Sequence, residues 1–324
     1  MDAMALYGKR AGSMWLAGFR EASSLHRVAV FCLRSRMLMI RMGQCFLLNG
    51  LIFLGSLLTL KSVVIPSLLW ILPGKCEQFG SRHLCEHETA LALYSSLRFI
   101  LIQLFYVFWF YPLYVFSIVL STLWYNDIAK HGFDAVRRGP PVTQSPRRSN
   151  ISDSQNVSNV SKPSGFEGVI VGIGEQVYSL LLLSVFFIEV FSTGFIPFIG
   201  KGINFLLLSW MYSYYCFEYK WNLSELSLEK RLDFFESNWA FFAGFGSPCV
   251  LAIFFFSPLV SYGVMAILFP LFVLTAAGTE AEKVIDSQKR LWGGEELPKL
   301  RIFYLANNLS MHILQSFPGE HKGD

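Results

Sequence analysis

The sequence predicts an all-α, polytopic membrane protein with two long transmembrane helices, two short helical hairpins and amphipathic surface helices. Three observations carry this. Of 324 residues, 53% are hydrophobic and 15% charged, and mean hydropathy is +0.44, far from the balance of a soluble domain. Two apolar runs each exceed the roughly 20 residues that cross a hydrocarbon core of about 30 Å. Two further apolar hairpins have joints without an exposed charged loop.

The first long run, Phe46 to Leu72, carries one charge, Lys61, and the second, Phe99 to Tyr125, carries none. Pro112 within the second is tolerable where neighbouring groups satisfy the carbonyl it frees. Lys9, Arg10, Arg20, Arg27, Arg34, Arg36 and Arg41 precede this pair of spans, and Lys130, Arg137, Arg138, Arg147, Arg148 and Lys162 follow it. The loop between holds only Lys75, Arg82 and, at its edge, Arg98. By the positive-inside rule both flanks are expected on the cytoplasmic side. Topology accounts for the basic residues, so no nucleic-acid partner is implied.

The expected organisation is an amphipathic N-terminal segment over 1–43, a transmembrane hairpin over 44–131 with its lumenal loop at 73–97, a disordered cytoplasmic linker over 132–165, a membrane domain over 166–296 and a C-terminal amphipathic helix and tail over 297–324. In the first segment Trp15, Phe19, Ala22, His26, Ala29 and Leu33 lie at helical spacing against Arg20, Arg27 and Arg34, the pattern of a helix on a membrane surface. An Arg-rich, acid-poor leader also fits a mitochondrial transit peptide. The longest uncharged apolar run before Gln44, Val28 to Leu33, is shorter than the h-region of a signal peptide. The linker is rich in Ser, Pro and Asn, and its sequons at Asn150, Asn156 and Asn159 have no meaning on a cytoplasmic loop. Cys76 and Cys85 alone among the cysteines fall in the lumenal loop. A disulfide between them is the plainer reading, and a zinc site of Cys76, His83, Cys85 and His87 is the other, although it lacks a C-x-x-C clasp.

The membrane domain holds one hairpin over 169–221, with arms Val177 to Phe195 and Ile203 to Tyr219, and another over 238–280, with arms Phe241 to Phe256 and Val260 to Thr275. Arms of about 16 residues reach only about 24 Å at 1.5 Å per residue. Tight turns on the far side and re-entrant tips both fit, and the shortness of both arms favours the re-entrant form. Glu189 and Lys201 lie six residues either side of Phe195, so a turn there would bring them to matching depth as an intramembrane charge pair. At the far end of this hairpin, Tyr212, Tyr214, Tyr215, Tyr219 and Trp221 read as an interfacial aromatic belt. Glu218 and Lys220 lie where the helix leaves the acyl region, with a phenol from Tyr214 or Tyr215 in reach of the carboxylate. The stretch from Lys220 to Asn238 reads as a surface helix burying Leu223, Leu226, Phe234 and Phe235.

Catalytic signatures are absent. Gly168, Gly172 and Gly174 lack both the G-x-G-x-x-G order and a P-loop lysine, and the six histidines form no metal-ligand pair on a helix face. Neither an enzyme nor a cofactor or metal is expected.

Four stretches carry a family resemblance: "YPLYVFSIVLSTLWYNDIA" (Tyr111 to Ala129), "YSYYCFEYKW" (Tyr212 to Trp221), "NWAFFAGFGSP" (Asn238 to Pro248) and "ILFPLFVLTAAGTEA" (Ile267 to Ala281). Together with "RMGQCFLLNG" (Arg41 to Gly50) and "LPKLRIFYLANNL" (Leu297 to Leu309), they resemble the etoposide-induced protein 2.4 family of endoplasmic-reticulum membrane proteins. More distantly, "IPFIGKGINFLLLSWMYSYYCFEY" resembles the bacterial sulfate transporter CysZ. The resemblance implies two long spans with two hemi-penetrating hairpins and a role in autophagy and endoplasmic-reticulum homeostasis, with Tyr215, Glu218 and Trp221 in an interfacial family motif. Partners would be the bilayer and autophagy or organelle-contact proteins. The bacterial branch implies anion permeation and a homodimer, and carries over Arg20, Arg34 and Arg36 as anion ligands. The bacterial Gly-x-Arg-Arg element is represented here only by Gly18-Phe19-Arg20 and Arg34-Ser35-Arg36.

Overall fold

A computed structural model describes residues 2–71, 88–137 and 166–316, and every described element is helical. Cys76, Cys85, the three sequons and most of the lumenal loop and linker lie outside those residues. In chain order the helices are α1 (Asp2–Ala22), α2 (His26–Arg34), α3 (Arg36–Ile71) and α4, which joins Glu88–Phe105, a π turn at Tyr106–Phe110 and Tyr111–Arg137. There follow α5 (Phe166–Thr193), α6 (Gly200–Leu223), α7 (Leu228–Ser237), α8 (Trp239–Leu251), α9 (Pro258–Gly278), α10 (Ala281–Arg290) and α11 (Tyr304–Ser316). The chain divides into two compact units: one of Met1–Ser24, Phe133–Val250 and Thr275–Asp324, the other of Leu25–Gly132 and Leu251–Leu274.

The second unit is built on three helices long and apolar enough to cross a membrane: α3, α4 and α9. The third corrects the expected arm lengths. Pro258 supplies a pre-set first helical position, and the helix runs on to Gly278, so α9 has 21 residues, about 32 Å at 1.5 Å each. The preceding arm, α8, has 13 and is much shorter than that span. At its other end α4 continues to Arg137, so the first residues assigned to the linker are helical.

Prolines shape these helices. A π stretch at Leu60–Val64 directly precedes Ile65-Pro66, and another at Tyr106–Phe110 directly precedes Tyr111-Pro112. A proline donates no N–H to the turn before it, and shifting that turn to i→i+5 pairing is the local accommodation. In α9 the same deficit is met by other helices. Pro270 leaves the Ala266 carbonyl without its i+4 donor, and that oxygen accepts from Tyr125 Oη at 2.9 Å, Asn49 Nδ2 at 3.4 Å and Cys45 Sγ at 3.7 Å.

Asn49 is the hub of this seam. It is fully buried in the π stretch Leu47–Leu54, and its Nδ2 also donates to Ser121 Oγ at 2.9 Å. Its Oδ1 accepts from the hydroxyls of Ser117 and Ser121, and Ser117 meets the Tyr262 hydroxyl at 3.2 Å. One side chain thereby ties α3 to both α4 and α9. Next to it, Phe53, Tyr114 and Tyr262 bring one ring from each helix together, with centroids 4.7 to 6.1 Å apart. An ion pair of Arg41 with Asp127, at 3.2 Å, closes the α3–α4 contact near the start of the span.

In the first unit, α8 lies between α1 and α6 through glycines. A Cβ on Gly244 would fall 1.9 Å from the Trp15 carbonyl oxygen, and one on Gly246 would fall 1.8 Å from that of Ser209. Small residues let helix backbones approach this closely, which replaces the hydrophobic drive that is absent between helices in lipid. The Trp15 indole also donates to Ser247 Oγ at 3.2 Å.

This contact corrects the expected N-terminal face. The buried positions of α1 are Met14, Gly18 and Ala22, spaced by four, and those of α2 are Val28 and Phe31, while His26, Ala29 and Leu33 are exposed. The helix breaks after Ala22 and again at Ser35, whose hydroxyl caps α3 by accepting from the Leu38 N–H. Each break resets the phase of the apolar stripe, so no single continuous face exists.

Two outcomes are expected. Gly244→Val should lower the detergent-solution melting temperature by an amount matching an overpacking cost of about 1–3 kcal/mol, whereas Gly43→Ala, whose added Cβ meets nothing within 4 Å, should be nearly neutral. Asn49→Leu should strand the Ser121 hydroxyl, while Ser117 keeps Tyr262 and the Ala266 carbonyl keeps Tyr125 and Cys45, and should destabilise by about 1–3 kcal/mol, with Ser121→Ala costing less in the Asn49→Leu background than alone.

Candidate functional site

The densest chemistry among the described residues lies where α6 ends and α7 begins, in the first unit. The last turns of α6 present Tyr214 and Phe217 inward, and the chain turns through Glu225, a non-glycine residue at φ +52°, into α7. Tyr214 is fully buried and meets Trp221, Phe235 and Phe303 edge-on at 5.3 to 5.6 Å. Phe217 packs on Phe242 and Phe245 of α8 at 5.2 and 4.8 Å. This aromatic core is the platform that holds the charged groups around it.

Those groups are satisfied locally. Arg231 is buried; its Nε donates to the Leu226 carbonyl at 2.6 Å and its guanidinium to Asn222 Oδ1, so it laces the turn it follows. Glu236, also buried, accepts the Phe303 N–H at 3.1 Å and pairs with Lys299 at 3.5 Å, while its backbone carbonyl takes the Leu300 N–H. It pins the segment leading into α11, which in turn docks on α5 through a Tyr178–Asn307 hydrogen bond of 2.5 Å and the Phe186–Phe303 contact at 4.9 Å. Lys220 donates to the Thr279 carbonyl beyond the end of α9 at 2.5 Å, a cation at a helix C-terminus.

Glu218 receives its hydrogen bond from Ser179 Oγ of α5, at 3.3 Å, rather than from a phenol. Burial raises its carboxyl above the ordinary glutamate range, against the charge of Arg231 and the Ser179 hydroxyl, which pull it back. Tyr215 is half-buried, and burial followed by the nearby Glu218 charge pushes its phenol up to about 12. Trp221, read as part of a surface belt, is buried in the aromatic core together with Tyr214.

At the hairpin between α5 and α6, Glu189 and Lys201 form no ion pair among the described residues. Lys201 is exposed, and one oxygen of Glu189 is buried without a hydrogen-bond partner. Asn204 ties the turn instead, donating to the Val190 carbonyl at 2.7 Å. Arg34 and Arg36 are exposed on either side of Ser35 in the second unit, and Arg20 is exposed near the end of α1 in the first.

Sequence reasoning missed Asn49, Arg231 and Glu236. Arg231 and Glu236 sit in a charged segment whose helical pattern reads as solvated. The available signal for Asn49 was its position as a lone amide inside a span, together with Ser117 and Ser121 four apart in the other.

This arrangement can be set against known proteins. The family model described as "Sulfate transporter CysZ/Etoposide-induced protein 2.4" matches residues 24–270, a stretch that includes the Asn49 seam and the α6–α7 corner. The chain belongs to this family. Family members similar to it include "Protein EI24 homolog" of Arabidopsis thaliana, 61% identical over 305 residues and 94% of each chain. "Protein EI24 homolog" of Dictyostelium discoideum is 28% identical over 94% of this chain and 84% of its own. "Ectopic P granules protein 4" of Caenorhabditis elegans is 28% identical over 63% of this chain and 57% of its own. No solved structure matches.

The raised Glu218 carboxyl makes folding stability depend on pH. Its folded-state affinity for a proton exceeds the unfolded one, so the folded state binds more protons above the ordinary glutamate range and stability declines as pH rises through that window. Glu218→Gln should flatten this part of the melting temperature against pH curve, with variant and parent converging below the unfolded glutamate value.

Proposed function

We propose that the chain is a multi-pass membrane protein of the endoplasmic reticulum that supports autophagy and endoplasmic-reticulum homeostasis, with both termini and residues 132–165 on the cytoplasmic side. It belongs to the matched family, resemblance to which implies this role, and its relatives include proteins named EI24 homolog and Ectopic P granules protein 4. The asymmetry of basic residues around the two long spans supports the orientation.

The observation favouring an interaction protein over an anion pathway is the Asn49 seam. Both amide atoms of Asn49 and the hydroxyls of Ser117 and Ser121 are engaged with one another, so the polar interior of α3, α4 and α9 is spent on holding helices together. The apolar runs of α3 and α4 carry one charge, Lys61, and it is exposed rather than turned to that interior. Polar groups that serve an ion path are expected to face a wet cavity. On this reading the exposed surfaces of α7, α10 and α11 and the residues over 132–165 meet partner proteins. It assigns no enzymatic activity.

Loss of the protein should lower autophagic flux, and re-expression of a variant with Arg20, Arg34 and Arg36 all changed to Gln should restore it. Proteoliposomes holding the purified chain should take up labelled sulfate no faster than protein-free vesicles. Uptake above that baseline, abolished by the triple change, would replace this reading with transport.

A further inference from the structure

We propose that the cavity beside the end of α6 binds the headgroup of a zwitterionic phospholipid, with lysines taking its phosphate and carboxylates its ammonium. The cavity has a volume of about 500 Å³, within the range of small-ligand sites. Its walls come from the last turn of α6, the turn into α7, α7 itself and the start of α10.

Its charges are of both signs and close together. Lys220, Lys230 and Lys283 line it, as do Glu280 and Glu282. Some are already engaged: Lys283 pairs with Glu280 at 2.5 Å, and Lys220 donates to the Thr279 carbonyl. Lys230 and Glu282 make no hydrogen bond or ion pair among the described residues. A simple anion drawn to the lysines would meet two carboxylates, and a simple cation drawn to the carboxylates would meet three ammonium groups. A ligand with one phosphate and one ammonium a few ångströms apart meets both sets favourably.

The apolar part of the wall fits the same ligand. Trp221, Phe217 and Phe234 line the cavity, and aromatic rings beside a desolvated ammonium add an attraction of their own. Depth is set by the chain: the apolar helix α9 ends at Gly278, and the cavity wall begins at Glu280. Residues that directly follow the end of a spanning helix lie among lipid phosphates, where lysines and tryptophans are enriched.

The test uses the full chain, stripped of lipid in a maltoside detergent and examined by native mass spectrometry during titration. Dioleoylphosphatidylcholine should give a single saturable adduct at least tenfold tighter than dioleoylphosphatidylglycerol, which carries the phosphate without the ammonium. Glu282→Gln should weaken the choline lipid and bring the two to parity, and Lys230→Gln should weaken both. Both side chains are exposed, so unliganded melting temperatures should not move, which separates lost binding from lost fold. Equal or tighter binding of the glycerol lipid by the parent chain would overturn the proposal, as would unchanged choline-lipid binding in both variants. Glycerophosphocholine binding as tightly as the lipid would overturn the assignment to a membrane lipid.

Discussion

A chain that crosses hydrocarbon has no water to complete its hydrogen bonds, and this constraint organises the three spanning helices. Pro66, Pro112 and Pro270, inside these helices, each remove a donor from the backbone ladder. Before Pro66 and Pro112 the helix adjusts its own ladder into a π turn. At Pro270 the freed Ala266 carbonyl becomes an acceptor for Tyr125, Asn49 and Cys45. What would be a defect in an isolated helix becomes the point at which three helices are fixed in register, because an unsatisfied polar group in lipid costs several kcal/mol.

The first unit solves a different problem. Its helices gain stability from close backbone approach at Gly244 and Gly246 and from a continuous aromatic core around Tyr214, Phe217, Phe235 and Phe242. Its charges lie at the margin of that core and serve connections: Arg231 holds the α6–α7 turn, Glu236 holds the segment entering α11, and Lys220 closes the end of α9. Removing one partner from such a buried set would leave the other uncompensated, so these groups act as specifiers of connection more than as sources of stability. Of these three only Lys220 lines the cavity beside the end of α6, whose carboxylates come from Glu280 and Glu282 at the start of α10.

Composition and run length made the class of the protein legible, since roughly 20 uncharged apolar residues have few fates other than a bilayer. The family was legible because its motifs are long and aromatic. Both come from local sequence, and the N-terminal stripe shows where local reading stops. Trp15 and Phe19 do share a face and stack at 5.2 Å, yet the buried line runs through Met14, Gly18 and Ala22 because α8 approaches on that side.

By itself the sequence determined an all-helical membrane protein, the places of its two longest spans and its family, because length, hydropathy and motif are properties of segments. Only the tertiary structure decided that α9 is a third helix long enough to span, that Glu218 takes its hydrogen bond from Ser179, and that Tyr214 and Trp221 are core rather than belt. It also decided that Asn204, and not a Glu189–Lys201 pair, ties the hairpin turn. Each of these depends on which distant residue arrives opposite a given side chain. Helical periodicity says which residues share a face, but the partner that covers the face is set by packing between segments far apart in the chain.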